Sequence, residues 1–319
     1  MAQSKRSELH LNNVIANGLV TNWDDVTSIW RHAFYNEIRV APEDHTVLLT
    51  EPPLNPSGHR EKMTEIMMET FCVPALYIAV DAVLASYANG RTNCVVLSSG
   101  HGITHSVPVY EGHCIHSAIT STKFAGEAAT NYLIKLQEEK GYAFSSHTER
   151  EIARDLKEKL CFVAYDYDKE LVNFKEPNLP TDTSCYDLPD GNLLTIHSDR
   201  FQCPELFFQP HLAGINSIGV HETVVNSVEQ TDVDLRNTMY ANVLLSGGST
   251  MFEGFADRVT KELSGMTTSD VKVIARPERK YSVWIGGATL AALSSFQEMT
   301  ISRDDYDECG PQIVHRKCF

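Results

Sequence analysis

The sequence lacks an excess of positive charge, a long apolar run and any closely spaced pair of cysteines. Its 27 Lys and Arg stand against 42 Asp and Glu, which gives a formal net charge of −15. Proteins that track nucleic-acid phosphates need clustered basic residues, so nucleic acid is not expected as a partner. No apolar run is long enough to span a bilayer, and residues 1–13 hold no apolar core of a signal peptide. The sequence therefore predicts an intracellular protein without membrane insertion.

The eight cysteines are spread along 319 residues without a CxxC pair. This pattern favours free thiols in a reducing compartment over a disulfide or zinc framework, and most of the thiols are expected to be buried. Hydrophobic residues make up 42% and charged residues 22%, which are ordinary globular values. A chain of this length is expected to form two domains, because single cores seldom grow so large.

Helical patterns alternate with short β-branched runs. The predicted helices cover residues 22–36, 55–69, 74–88, 126–140, 148–164 and 233–240. Residues 92–97 and 103–110 predict a hairpin around the turn 98–102, residues 166–184 a surface loop, and residues 188–191 a turn between two strands. Two segments predict a strand, a diglycine turn and a helix: residues 241–245 before Gly247 and Gly248, and residues 281–285 before Gly286 and Gly287.

Three features could carry chemistry, and each has an ordinary structural alternative. The turn 98–102 has the small residues of a phosphate-binding hairpin, but a Gly-rich turn is common. Arg154, Lys157 and Glu158 share one helix face, which spacing alone assigns to solvent. Asp81 stands in an apolar predicted helix, either on a narrow polar stripe or at a site.

Four histidines lie in the turn or shortly after it: His101, His105, His113 and His116. Imidazole is a common zinc ligand, but a hairpin sends alternate residues to opposite faces, so the spacing does not favour a metal site.

Long stretches of the chain closely resemble actin. They are residues 21–25, 34–56, 60–67, 98–112, 149–161, 187–191, 244–251, 277–287 and 310–319. The resemblance covers almost everything from Leu9 to the C-terminus, so the chain is identified as a member of the actin family.

The resemblance implies an actin-like, two-lobed α/β fold, with a nucleotide and a divalent cation in the cleft between the lobes. Residues 14–88 and 282–319 would form the base of the first lobe, 89–124 and 215–281 the base of the second, and 125–214 its outer subdomain. Residues 1–13 would be a remnant of the small outer subdomain of the first lobe. Compared with the family, the front of the fold is expected to be absent, including the first phosphate loop and the loop that grips the next filament subunit.

The resemblance also implies which residues would bind ATP or ADP. The positions that match nucleotide-binding residues are Gly100, Gly102, Gly126, Arg154, Lys157, Glu158, Gly247, Gly248, Met251 and Lys280. Ser98 and His101 replace the two aspartates that order the metal, and Asp81 replaces the glutamine that positions the attacking water, whereas the histidine of the hairpin is kept as His105. We therefore expect weak nucleotide binding and loss of the Mg²⁺ or Ca²⁺ site, and we assign no catalytic residue.

A second surface implied by the resemblance is an apolar groove that receives amphipathic helices of actin-binding proteins and the neighbouring actin subunit. Its matching positions are Tyr87, Thr92, Gly112, Leu290, Leu293, Ser295 and Met299. Actin and actin-binding proteins are the expected partners, with capping or co-assembly favoured over self-assembly.

The leading hypothesis is thus a divergent actin-like cytoskeletal or scaffold protein in the cytoplasm, with ATP hydrolysis impaired or absent. One alternative is an ATP-hydrolysing filament subunit in which Asp81 and His101 have taken catalytic roles. The other is a truncated gene copy whose product folds poorly or needs a partner to complete its sheet.

Overall fold

The computed structural model describes residues 13–142, 144, 146–175, 184–187 and 193–318. The strands are β1 (Ile15–Ala16), β2 (Leu19–Val20), β3 (Val47–Glu51), β4 (Ala75–Val80), β5 (Cys94–Ser99), β6 (Thr104–Tyr110), β7 (His113–Cys114), β8 (Thr120–Thr122), β9 (Ser184–Asp187), β10 (Leu193–Ile196), β11 (Val243–Ser246), β12 (Val273–Ile274) and β13 (Ile301–Ser302). The α-helices are α1 (Trp23–His32), α2 (Ser57–Glu65), α3 (Asp81–Ala88), α4 (Gly126–Glu138), α5 (His147–Leu160), α6 (Tyr167–Lys175), α7 (Asp199–Glu205), α8 (Val220–Glu229), α9 (Val233–Tyr240), α10 (Phe255–Met266), α11 (Ser282–Ala291), α12 (Phe296–Met299), α13 (Arg303–Cys309) and α14 (Val314–Lys317).

The larger sheet is built around the predicted hairpin. Its order is β12-β11-β5-β6-β7, and β8 pairs with β6. β5 runs antiparallel to β6, with Ser98 opposite His105, and parallel to β11, with Ser98 opposite Ser246. The hairpin prediction is confirmed, and the Gly-rich turn lies at the end of β5 where the parallel strand β11 also ends.

The smaller sheet has the order β13-β4-β3 and corrects one prediction. Residues 75–80 form β4, all of it buried, and only residues 81–88 form helix α3. A strand that lies between two other strands and is buried on both faces has a continuous run of apolar residues. Periodicity alone cannot distinguish such a run from a buried helix. Asp81 is therefore the first residue of α3, directly after β4, and does not lie in the middle of an apolar helix.

The second diglycine segment is also corrected. Residues 282–291 form one helix, α11, so Gly286 and Gly287 lie inside a helix and not in a turn after a strand. A Cβ atom on Gly286 would lie 1.7 Å from the carbonyl oxygen of Leu84 in α3. The glycine is there because two helix backbones cross in contact, an arrangement that local sequence does not reveal.

Two further predictions differ in part from the structure, and a third lies outside its described residues. The predicted loop 166–184 contains helix α6, and its residues 176–183 lie outside the described part of the chain. The predicted turn 188–191 also lies outside it, although the flanking strands β9 and β10 do pair antiparallel. The helix predicted at 148–164 begins at His147, behind a capping box of Ser146 and Glu149, and ends at Leu160.

Helices α1 and α2 each continue into a wider turn of the π type, over Ala33–Ile38 and Ile66–Thr70.

Each sheet has its own large apolar cluster. Phe207, Phe255 and Leu133 lie in the cluster beside the larger sheet, and Met67 and Ile78 lie in that of the smaller one. The division into lobes and subdomains given above stays a prediction.

All eight cysteines carry free thiols, as predicted. Four are buried (Cys94, Cys161, Cys203 and Cys318), Cys114 is half-buried and three are exposed, which is fewer buried thiols than expected. Among the described residues, no helix is both long and apolar enough to cross a bilayer.

Candidate functional site: a polar cleft and an apolar groove

The turn between β5 and β6 is held against the first turn of α4. The amide of Gly126 donates to the Gly100 carbonyl at 3.1 Å, and the amide of Glu127 donates to the His101 carbonyl at 2.8 Å. The hydroxyl of Ser249, after β11, donates to the same Gly100 carbonyl at 2.6 Å. These bonds bring three sequence-distant segments together at the ends of β5 and β11.

A cavity of about 820 Å³ opens beside this junction. Eight of the ten predicted nucleotide-binding residues line it: Gly100, Gly126, Arg154, Lys157, Glu158, Gly248, Met251 and Lys280. Gly102 and Gly247 do not line it. Gly247 takes φ +90°, and a Cβ atom there would lie 2.3 Å from the Ser99 carbonyl oxygen, so this glycine lets β5 and the turn after β11 approach each other.

Lys157 does not lie on a solvated face, contrary to what helix spacing alone suggests. Its side chain is buried, and its ammonium donates to the Gly126 carbonyl at 2.6 Å and to the Thr130 hydroxyl at 2.9 Å. Burial lowers the pKa of Lys157. Arg154 and Glu158 are exposed at the cavity wall, and Arg154 pairs with Glu151 at 2.6 Å. The face of α5 that carries Arg154, Lys157 and Glu158 is thus part of the cavity wall, and Lys157 fixes α5 to α4.

Asp81 and His105 form a contact that the sequence did not reveal. Nε2 of His105 lies 3.4 Å from Oδ1 of Asp81, in a geometry that does not meet that of a hydrogen bond. His105 is 3% exposed, and neither of its ring nitrogens has a hydrogen-bond partner in the described residues. Neither residue lines the cavity, and neither does Ser98, which is buried opposite His105. Of the three substituted positions, only His101 faces the cavity.

The residues at the turn do not fit a divalent cation. Mg²⁺ and Ca²⁺ take hard oxygen ligands, carboxylates above all. The turn offers the buried hydroxyl of Ser98 and the imidazole of His101, and the nearest carboxylate to that imidazole is Glu127, at 4.0 Å. Within the described ranges, no group of three or more His, Cys, Asp or Glu side chains could hold a metal ion.

The wall of the same cavity has space and positive charge, although Glu127, Glu151 and Glu158 line it as well. Gly126 leaves its wall without a side chain: a Cβ atom there would lie 2.7 Å from Ser249 Oγ and 3.4 Å from Lys157 Nζ. The cationic side chains along the wall suit phosphate groups: Arg150, Arg154, Lys157 and Lys280.

Sequence reasoning missed several residues of this site. Ser249 directly follows the predicted turn at Gly247 and Gly248. Its position next to this turn was the sequence signal that could have identified it as a site residue. The Arg279 side chain donates to the Thr250 carbonyl at 2.8 Å, and the Arg279 carbonyl accepts a hydrogen bond from the Gly247 amide at 3.1 Å. These two bonds fix the turn after β11. No local pattern marks Arg279, because its partners lie about 30 residues away in the chain.

A second cavity, of about 290 Å³, corresponds to the predicted groove. Tyr87, Gly112, Leu290 and Met299 line it, whereas Thr92, Leu293 and Ser295 do not. The Tyr87 hydroxyl donates to the Gly112 carbonyl at 3.2 Å, and Gly112 takes φ +82°. This hydrogen bond joins α3 to the β6–β7 turn at the floor of the groove.

The groove also has a charged rim that was not predicted. Glu298, Arg316 and Lys317 line it beside the apolar residues, together with the imidazole of His113. An apolar floor with charged edges suits an amphipathic helix.

The fold and the cleft together define a mixed α/β protein with several sheets and a polar cavity at the ends of parallel strands. The chain matches the family model described as Actin over residues 1–319. This match covers the entire sequence, so the chain belongs to the actin family, and the resemblance noted from its motifs is confirmed.

Proposed function

We propose that this actin-family chain is a divergent cytoskeletal or scaffold protein that binds adenine nucleotide weakly, hydrolyses ATP poorly or not at all, and acts through its apolar groove. The observation that carries the proposal is the chemistry of the β5–β6 turn. The turn, residues 98–102, carries no carboxylate; Ser98 is buried, and of the three substituted positions only His101 lines the cavity. Phosphoryl transfer depends on a metal ion that neutralises charge in the transition state, and this turn cannot supply its ligands.

The groove supports the scaffold part of the proposal. Helix docking in a groove needs apolar anchors and a polar rim but no nucleotide chemistry. The groove, a cavity of about 290 Å³, has both an apolar floor and a polar rim. Actin and actin-binding proteins are the partners we propose, with capping or co-assembly in the cytoskeleton.

The first experiment is binding of a fluorescent ATP analogue to the purified chain with and without Mg²⁺, followed by phosphate release from the same sample. We expect weak binding without turnover. Mg²⁺-dependent binding with sustained phosphate release would contradict the proposal.

One observation favours the alternative of an ATP-hydrolysing subunit. Asp81, the first residue of α3, and His105, on β6, hold a carboxylate and an imidazole 3.4 Å apart outside the lining of the cavity, and such a pair can take a proton from water. If phosphate release is found, Asp81→Asn and His105→Gln should each reduce it by about 100-fold or more under this alternative. Release that is unchanged in both variants would exclude these residues as its source.

A further inference from the structure

β3 has the composition of a central strand but lies at the edge of the smaller sheet. Its residues Val47–Glu51 place Leu48 and Leu49 on opposite faces, as in strands that are buried on both sides in a parallel sheet. Within the described residues, β4 is the only strand that pairs with β3, and no other backbone hydrogen bond involves these residues. The outer side of β3 therefore presents unpaired N–H and C=O groups.

Edge strands are normally protected by a charged side chain, a proline, a bulge or a covering loop. The five residues of β3 pair with β4 in a regular register without a bulge, and the exposed residue among them is Thr50. The one charged residue, Glu51, is 4% exposed, and its Oε1 lies 2.8 Å from Nε of Arg60, so it does not protect the edge. β3 is thus open to pairing with another strand.

α11 exposes an uncharged stripe beside this edge. The stripe consists of exposed residues at helical spacing: Tyr281, Trp284, Ala288 and Ala291. Trp284 is 75% exposed, and no residue from 281 to 297 carries a charge. Gly287, next to Ala288, faces Leu48, because a Cβ atom there would lie 3.5 Å from Cδ2 of that leucine. The stripe and the open edge of β3 are therefore neighbours on one side of the smaller sheet.

A second copy of the chain can complete this surface. Antiparallel pairing of β3 with β3 about a twofold axis is self-complementary, since each copy uses the same residues. In the register that pairs all five residues, the strands cross the axis at Leu49, and Val47 lies opposite the partner's Glu51. No two like charges lie opposite each other in this register.

The acidity of the chain restricts where two copies can meet. With a net charge of −15 the copies repel each other, and a contact that is free of charge adds no repulsion at close range. A twofold axis perpendicular to the joined sheet keeps both α11 helices on the same side, so the two uncharged stripes flank the axis. One interface then pairs two open edges and covers two stripes, whereas a strand from another protein would cover one of each.

We infer that this chain forms a twofold dimer in which the β3 strands pair antiparallel and the α11 stripes cover each other. No residue of β3 or of the stripe lines the cleft cavity or the groove. The inference is therefore independent of the proposed nucleotide binding and of the proposed partners of the groove. Because the pairing is isologous, it closes after two copies and produces no filament.

The test is sedimentation velocity of the purified full chain over a concentration series, with amide hydrogen exchange on the same samples. We expect a monomer–dimer equilibrium with no species larger than twice the chain mass. The amides of Val47–Glu51 that face away from β4 should exchange more slowly in the dimer, since the partner strand then accepts their hydrogen bonds. Hydrogen exchange locates the contact, and sedimentation gives its stoichiometry.

Two substitutions test the two halves of the interface. Thr50→Lys places a charge on the open edge, and Trp284→Glu places one on the stripe. Both parent side chains are exposed, so each variant should keep the fold. Each should raise the dissociation constant of the dimer by about tenfold or more, because like charges from the two copies then lie in one interface.

The matched controls are Thr50→Val, which keeps the β-branched shape without a charge, and Val233→Glu, at a side chain on α9 that is 72% exposed. Both should associate as the parent chain does. A mixture of Trp284→Lys with Trp284→Glu should recover the association that each variant loses alone, because the stripes then carry opposite charges. Such recovery requires that the partner is a second copy of the chain.

A chain that melts cooperatively and stays monomeric at every concentration would overturn the inference, and slow exchange of the β3 amides in that monomer would show that its own residues cover the edge. Association that is unchanged in both Thr50→Lys and Trp284→Glu would also overturn it, because the contact would then lie elsewhere. Species larger than a dimer would contradict the twofold pairing. A mixture without recovery would show that the two stripes do not meet.

Discussion

The backbone of Gly286 in α11 lies against the carbonyl of Leu84 in α3, so closely that a Cβ atom would stand 1.7 Å from that oxygen. α3 follows β4, the central strand of the smaller sheet. α11 crosses α3 and is followed in the chain by the C-terminal helices. The position of both helices therefore depends on the absence of one side chain.

The first prediction tests this crossing. Gly286→Ala should force the helices apart and lower the free energy of unfolding by at least about 1–3 kcal/mol, as overpacking does. Gly265→Ala is the matched control, because this glycine also lies in a helix, α10, and a Cβ atom there meets nothing within 4 Å. The control should be neutral or stabilising by up to about 1 kcal/mol. Urea unfolding of both variants measures the difference, and equal stabilities would show that the crossing tolerates a methyl group.

The second prediction concerns acid stability near the C-terminal end. A hydrogen bond from Lys317 lowers the pKa of Asp305 to about 2, with help from the side chain and amide of Ser302. A carboxylate with a lowered folded-state pKa contributes stability above its unfolded value, near about 3.9, and loses it as pH falls towards the folded value. We expect the link between α13 and α14 to weaken between about pH 4 and pH 2.

Asp305→Asn provides the check. Its unfolding midpoint should be lower than that of the parent chain at neutral pH and should converge with it at the acid end of this window. A constant difference between the two chains across the window would contradict the assignment.

The third prediction tests the groove. Met299 is half-buried at its wall, so Met299→Glu should place a carboxylate among the apolar anchors and weaken binding of an amphipathic helical peptide by about tenfold or more. Met266→Glu introduces the same group at an exposed position outside the groove. Fluorescence anisotropy with a labelled peptide distinguishes the two, and equal losses would indicate a general charge effect.

The fourth prediction tests the wall of the cleft. Gly126→Val would fill the space between Ser249, Gly100 and Lys157, where even a Cβ atom meets the Ser249 hydroxyl at 2.7 Å. We expect loss of nucleotide binding by about tenfold or more, because α4 must move away from the turn. Gly58→Ala, at an open position near the start of α2, should leave binding unchanged. Unaltered affinity in Gly126→Val would place the ligand elsewhere.

The sequence predicted the elements whose signals are local. The β5–β6 hairpin follows from two β-branched runs around a Gly-rich turn, and α4 and α9 follow from their helical patterns. It failed at β4 and α11, where residues 75–80 and 282–285 are apolar enough for either class. There the tertiary neighbours decided: sheet pairing on both sides for β4, and a close helix crossing for α11.

The candidate site shows the same division. Family resemblance pointed to the residues of the cleft, and most of them do line one cavity. It could not reveal that Lys157 is buried against Gly126 and Thr130, because helix spacing gives a face but not what that face meets. Nor could it separate His101, which faces the cavity, from Ser98 and Asp81, which do not.

By itself, the sequence determined the family, the hairpin, the free thiols and the acidic charge, since each depends on residue identity and local spacing. The contact of Asp81 with His105, the position of Gly286 against Leu84, and the exposure of His101 in the cleft were decided only by the tertiary structure. Each of these joins segments far apart in the chain, and their distance is set by how sheets and helices pack rather than by any local preference.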